Sequence, residues 1–253
     1  MATLVAPIVR KKRADDIFFT MMSVVQLTIV VVGFAPSYFL RGAVFAPLPS
    51  LVVHLHGAVF SSWIFLFVIQ SSLVSAGNIR LHRKLGVLGA VIAGLMVILG
   101  ILAPFGTIRR AAHLPSFFTP ESFLVGNVFG IIVFGAYVAF AIWKRNNRIV
   151  HKRMMLMANA MLMSPALARM AFPVTSNGFA ATIPFMAHHP FLIGVIPLAM
   201  IVALFIFDLL TQRRVLAVTL IGGILFWATD PVSDWIIARP FSHQLVLWAQ
   251  HHP

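Results

Sequence analysis

The chain has 253 residues, 60% of them hydrophobic and 10% charged, with a mean hydropathy of +0.96. A soluble domain carries about a quarter charged residues, so this composition excludes a water-facing globule and points to a membrane protein. The net charge of +13 is spread in short clusters between apolar runs, which is a topology signal rather than a nucleic-acid surface. Cysteine is absent, which excludes disulfides, thiolate metal sites, iron–sulfur clusters and covalently attached haem.

A basic segment, Arg10 to Arg13, precedes the first apolar run. That run is too long for the apolar core of a cleaved signal peptide, about 7–15 residues, and is expected to be retained as a first span. A bilayer core needs roughly 20 helical residues. Seven apolar runs meet that length, at 17–40, 51–75, 85–107, 122–143, 154–172, 190–210 and 215–236. They are continuous, unlike the short alternating strands of a membrane barrel. The expected fold is therefore all-α, a single polytopic bundle of seven transmembrane helices over 1–253.

The loops alternate in charge. Arg10, Lys11, Lys12 and Arg13, then Arg80, Arg83 and Lys84, then Lys144, Arg145, Arg148, Lys152 and Arg153, then Arg213 and Arg214 fall on one side. The other side holds Arg41, Arg109, Arg110 and Arg239. Lys and Arg concentrate on cytoplasmic loops, which predicts a cytoplasmic amino terminus, an external carboxyl terminus and a bacterial inner-membrane location. The basic side also favours anionic lipid headgroups as partners.

Helix packing is expected along small-residue stripes, Gly86–Ala90–Gly94 with Gly89 and Ala93 beside them on the third run, and Gly126–Gly130 on the fourth. The methionines between Met154 and Met163 read as adaptable core filler. Pro165 predicts a kink in the fifth run. Glu121 suits the start of the fourth run, where it complements the helix dipole. Asp208 is expected to form an interfacial ion pair with a local arginine or lysine.

Two loops resemble each other. Asn78-Ile-Arg-Leu-His82-Arg-Lys opens the third run and Asn147-Arg-Ile-Val-His151-Lys-Arg opens the fifth. Basic residues flank cytoplasmic helix ends in general, so only the paired histidines raise this above ordinary flanking sequence. They suggest a parallel repeat of two hairpins. The segments LHRKLG and HKRMMLMANAMLMSPALAR, within His54 to Arg169, resemble an uncharacterised family of bacterial inner-membrane proteins known mainly as a domain of unknown function. The resemblance covers a little under half of the chain and implies a relative without an activity.

Polar residues inside a membrane mark bundle interiors or functional sites. His56, Trp63 and Gln70 recur every seven residues and form one stripe on the second run, either a pocket wall or a polar seam bonded to neighbouring helices. The histidines fall in two tiers, with His82 and His151 at the cytoplasmic boundary and His56, His188 and His189 among those toward the outside. Paired imidazoles from different helices are the ligand set of a b-type haem. This makes haem b the candidate cofactor, with His82 and His151 as the inner pair and His56 with His188 or His189 as the outer. Arg169 lies near the outer boundary, level with Asp230 and Asp234. An Arg169–Asp230 or Arg169–Asp234 pair is expected; binding of an anionic substrate or a haem propionate is the functional alternative.

No lysine sits within a run, so a retinal Schiff base is excluded, and no nucleotide-binding or hydrolase motif is present. No catalytic residue and no bare-metal site is assigned. The sequence describes a membrane binding or accessory component. A haem-binding electron-transfer protein, a small-molecule transporter and a subunit of a larger membrane complex are the alternatives.

Overall fold

The computed structural model describes residues 2–40, 51–110, 114, 118–172 and 183–251, with side chains from Arg13 onward. Among these residues there is no strand. The helices are α1 (Ala2–Phe34), continued by a π-helical segment (Ala35–Phe39), α2 (Leu51–Ser75), α3 (Ile79–Arg109), α4 (Pro120–Trp143), α5 (Arg148–Met161), α6 (Ser164–Ala171), α7 (Pro184–His188), α8 (Leu192–Gln212), α9 (Ala217–Ile237) and α10 (Pro240–His251). Six of the described helices, the first continuing into the π-helical segment, are long and apolar enough to cross a membrane: Arg13–Phe39, α2, α3, α4, α8 and α9. The chain is thus an all-helical, multi-pass membrane protein.

The fifth apolar run differs from the expectation of one helix. It is split into α5 and α6 at Leu162–Met163. Pro165 supplies the reason: it has no N–H to give and its ring collides with the carbonyl four residues back. The last turn of α5 tightens instead, with Leu162 N bonded to Asn159 O and Met163 N to Ala160 O. This broken element is also the most enclosed. Arg153, Leu156, Met157, Ala158, Asn159, Ala160 and Met163 have no solvent exposure. A helix surrounded on all sides has no lipid-facing surface to make it uniformly apolar.

The helix ends follow local chemistry. The α2–α3 turn needs only three residues outside regular helix, Ala76 to Asn78. Gly77 adopts φ 76°, Gly77 N bonds to Val74 O and Asn78 N to Leu73 O, which is a Schellman closure. Asn78 then caps α3, its side chain accepting from Leu81 N at 3.2 Å. Asn147 caps α5 in the same way, accepting from Ile149 N and Val150 N. Thr119 and Ser122 form a capping box at α4, ahead of which Pro120 takes the first helical position.

The glycines correct the packing expectation. A Cβ on Gly94, Gly126 or Gly130 would meet nothing within 4 Å. The buried track of α3 runs through Gly89, Ala93, Met96, Gly100 and Ala103, the stripe beside the one expected. Val87, Val91, Ile98 and Leu102 face outward and are more than half exposed, as lipid-facing residues are. Close backbone approach occurs elsewhere. A Cβ on Gly33 would stand 2.3 Å from the Ala166 carbonyl oxygen, and one on Gly222 2.5 Å from Met157 Sδ.

α10 and α7 follow and precede apolar runs that the sequence marks clearly, and neither is signalled by such a run. α10 lies against α3, α4 and α9. It closes a small second core of Ile108, Leu124, Val246 and Ala249. His243 Nδ1 stands 2.9 Å from Glu121 Oε1 across the α10–α4 contact, so Glu121 has a side-chain partner in addition to its place at the helix start.

One end of the bundle gathers the basic turns. Lys152 pairs with Asp15 at 2.6 Å. Arg153 pairs with Asp208, and both side chains are wholly buried. Arg153 Nε donates to Asp208 Oδ1 at 3.0 Å, and Nη1 to Ile149 O at 3.1 Å. Asp208 also accepts from the Thr219 hydroxyl and, at 3.4 Å, from Leu216 N at the start of α9. The expectation of an interfacial pair with a loop cation is corrected: the partner comes from α5, and the pair lies inside the bundle.

Removing one member of a buried pair strands a charge. Arg153→Ala or Asp208→Ala should lower stability by about 3–5 kcal/mol, whereas Arg153→Met with Asp208→Leu should recover most of it. Melting in a nonionic detergent measures both. In the same assay Gly33→Ala should destabilise clearly and Gly94→Ala should be close to neutral.

Candidate ligand site at the paired helix starts

The two similar loops meet. His82 and His151 each occupy the fourth residue after their capping asparagine, with His82 N bonded to Asn78 O and His151 N to Asn147 O. Equal spacing from equal caps gives the two rings the same position on the first turn of α3 and α5. Their centroids stand 6.3 Å apart and their planes cross at 83°.

Ring partners define what each imidazole can still do. His151 Nδ1 lies 2.9 Å from Ala141 O. A carbonyl only accepts, so Nδ1 carries the proton and Nε2 keeps a free lone pair. This is the outer-shell arrangement of a ligating histidine. His82 Nδ1 is buried with no hydrogen-bond partner. Gln70, one α2 turn before the α2–α3 hairpin, has a buried Oε1 that also lacks a partner. Buried polar groups are bonded in the great majority of cases, and two unpaired ones beside a histidine pair mark a site with binding capacity left over.

The surroundings are positive. Arg80, Arg83, Lys84 and Arg148 are exposed around the pair, while Lys152 and Arg153 are engaged by Asp15 and Asp208. Among the described residues no group of three or more His, Asp or Glu side chains converges as a metal cage.

The other sequence-selected residues are placed as follows. Trp63 is buried and donates from Nε1 to Asn159 Oδ1 at 3.0 Å, with Phe134 edge-on at 5.5 Å. Mid-way along α2 the His56–Trp63–Gln70 stripe is thus packed and bonded to α5. His56 stacks on Phe60 with centroids 4.1 Å apart, and its Nδ1 is buried without a partner. His188 is exposed and bonds to Pro184 O, and His189 contacts Phe185 and Phe191. No ring contact or hydrogen bond joins His56 to either, so the structure does not assemble the outer histidine set.

The expected Arg169 ion pair is also corrected. Arg169 donates to Pro165 O at 2.8 Å and lies over Phe34, and it pairs with neither Asp230 nor Asp234. The packing explains this. α6 lies against α1, α7 and α8, whereas α9 lies against α4, α5, α8 and α10. Asp230 and Asp234 sit on the exposed face of α9. Level along the membrane did not mean neighbouring in the bundle.

Other polar links were not read from the sequence. Gln26 Nε2 donates to Leu156 O at 3.3 Å, Tyr137 Oη to Gly222 O at 2.7 Å, and Ser23 and Ser71 are bonded at 2.7 Å. Their signal was the presence of polar residues inside apolar runs.

No family model matches the chain, and no curated protein and no solved structure matches it. The functional reading therefore rests on the geometry.

Trp63→Phe keeps the ring but leaves Asn159 Oδ1 unpaired in the core. It should cost about 1–3 kcal/mol in detergent melting, while Trp63→Phe with Asn159→Leu should cost less than the sum of the two single changes.

Proposed function

We propose that this chain is a haem b-binding electron-transfer component of the bacterial inner membrane, in which His82 and His151 would hold the haem. The carrying observation is the meeting of these two rings. Imidazoles sharing one ion at a metal–nitrogen distance of about 2.0 Å stand with ring centres roughly 6 Å apart, and the pair stands at 6.3 Å. A bare structural zinc needs four protein ligands. Haem supplies four nitrogens of its own and asks the protein for two, which is the number present. The unpaired His82 Nδ1 and the free Nε2 of His151 fit that demand. When bound, haem would supply one-electron redox chemistry. The chain's contribution is to hold the two rings from separate hairpins, to fix the His151 tautomer through Ala141, and to offer Arg80, Arg83 and Lys84 to its carboxylates. Transport along the α2 stripe is less well supported, because Trp63 is buried and bonded across it.

The same reading places α5 and α6 together as a seventh crossing at the centre of the bundle, with the amino terminus and the histidine pair on the cytoplasmic side. The gathering of the basic turns at one end supports this orientation. Reporter fusions after Gly77 and after Arg239 should report opposite sides, and one common side would refute it.

Protein purified from haem-sufficient cells should show an intense Soret band with reduced bands appearing on dithionite. His82→Ala or His151→Ala should abolish the spectrum, and His188→Ala should leave it unchanged. Colourless protein with no saturable change on adding haemin would overturn the assignment.

A further inference from the structure

At the end of the bundle away from the histidine pair, α1 packs both on α6, which carries Arg169, and on α2. His56 begins this region of α2, 19 residues before Ser75 and so about 28 Å along the helix from the α2–α3 turn. Gly33 draws the elements together, since only a glycine allows its α-carbon so near the Ala166 carbonyl. Phe34, the next residue, is thereby laid against Arg169, with the guanidinium carbon 4.3 Å from the ring centre. A second contact of this kind seats Tyr38 on α2: a Cβ on Gly57 would stand 2.7 Å from the Tyr38 ring, and Tyr38 Oη donates to His54 O at 3.1 Å.

Among the described residues the cation at the centre has no counter-ion. Of the six carboxylates, Asp15, Asp208 and Glu121 are held by Lys152, Arg153 and His243. Asp16 lies more than four turns of α1 before Gly33, and Asp230 and Asp234 face outward on α9. A charged side chain within a bundle is costly unless it meets an opposite charge. Two further polar groups stand by. His56 Nδ1, on α2, is buried without a hydrogen-bond partner, as is the Oγ of Ser37, one turn beyond Gly33 on the π-helical continuation of α1.

We propose that Arg169, with His56 and Ser37, binds a monoanionic head group carried on an apolar body. One guanidinium matches one negative charge, and its planar fork suits two oxygens of a carboxylate or phosphodiester. A phosphate dianion would call for a second cation. The imidazole and the hydroxyl contribute hydrogen bonds, and Phe34, Phe60 and Tyr38 offer aromatic surface to the body of the ligand. This site is separate from the histidine pair and does not depend on haem. The monoanion could be a free amphipathic carboxylate or an anionic lipid, and the test separates them.

The purified full chain in a neutral detergent is melted with increasing benzoate or hexanoate, and with benzamide and hexanol as uncharged counterparts. In parallel it is melted in nanodiscs of phosphatidylcholine with and without phosphatidylglycerol. A saturable rise in Tm with the carboxylates identifies a free ligand, and a rise confined to phosphatidylglycerol identifies a lipid. In either case Arg169→Gln should weaken the response at least about tenfold, Arg239→Gln should leave it intact, and the visible spectrum should not change. His56→Leu, which keeps the arginine, should weaken it severalfold and serves if Arg169→Gln does not fold. No response in either arm, equal responses to benzamide and benzoate, or an undiminished response in both site variants would overturn the proposal.

Discussion

The rest of the structure depends on a guanidinium and a carboxylate that meet with no water around them. Taking Arg153 and Asp208 out of solvent costs several kcal/mol for each ion, and only good geometry with the remaining lone pairs and protons satisfied offsets it. Both conditions are met. Asp208 receives Arg153, Thr219 and Leu216 N, and Arg153 spends a further donor on Ile149 O. The pair therefore ties the start of α5 to the end of α8 and the start of α9. Phe18 and Phe207 stack at 4.2 Å beside it, with Phe19 edge-on to both, and these rings keep the pair dry. Fixing the rotation of α5 at Arg153 also fixes His151, two residues earlier, so the geometry of the candidate cofactor site follows from a charge pair outside it.

Along the rest of α5 the same logic recurs in weaker form. Lipid offers helices little hydrophobic reason to associate, so packing and interhelical hydrogen bonds decide their neighbours. Asn159 is engaged by Trp63 of α2, Leu156 O by Gln26 of α1, and Met157 fills the space left by Gly222 of α9. Each contact comes from a different helix. A central helix addressed from several sides can carry polar atoms that would be costly on a lipid-facing one, and this is why α5 is the least apolar of the long elements.

Much of the architecture was legible because its signals are local. Run length, the basic turns, the capping asparagines and Pro165 each act on the residues beside them. The meeting of His82 and His151 was legible for the same reason, since two like caps place two like side chains. What escaped were facts of rotation and of partnership across the bundle. The packing stripe of α3 lay one residue from the one expected, a turn of 100° about the helix. Arg153 looked like one more loop cation because nothing in its neighbourhood shows that α8 brings a carboxylate to it. Arg169 and Asp230 share a depth but stand on different sides of the bundle, and depth is all that counting along a helix can supply.

The turn at Gly77–Asn78 acts as a ruler. Asn78 finishes the closure of α2 and begins α3, so no slack residue lies between Gln70 on one helix and His82 on the next. One added residue at that point would advance α3 by about 1.5 Å and turn it by 100°, which would carry His82 from the neighbourhood of His151 to another face. The loop is short because its length sets an angle, and the count of residues between the two walls of the site is as much a part of the site as the side chains it holds.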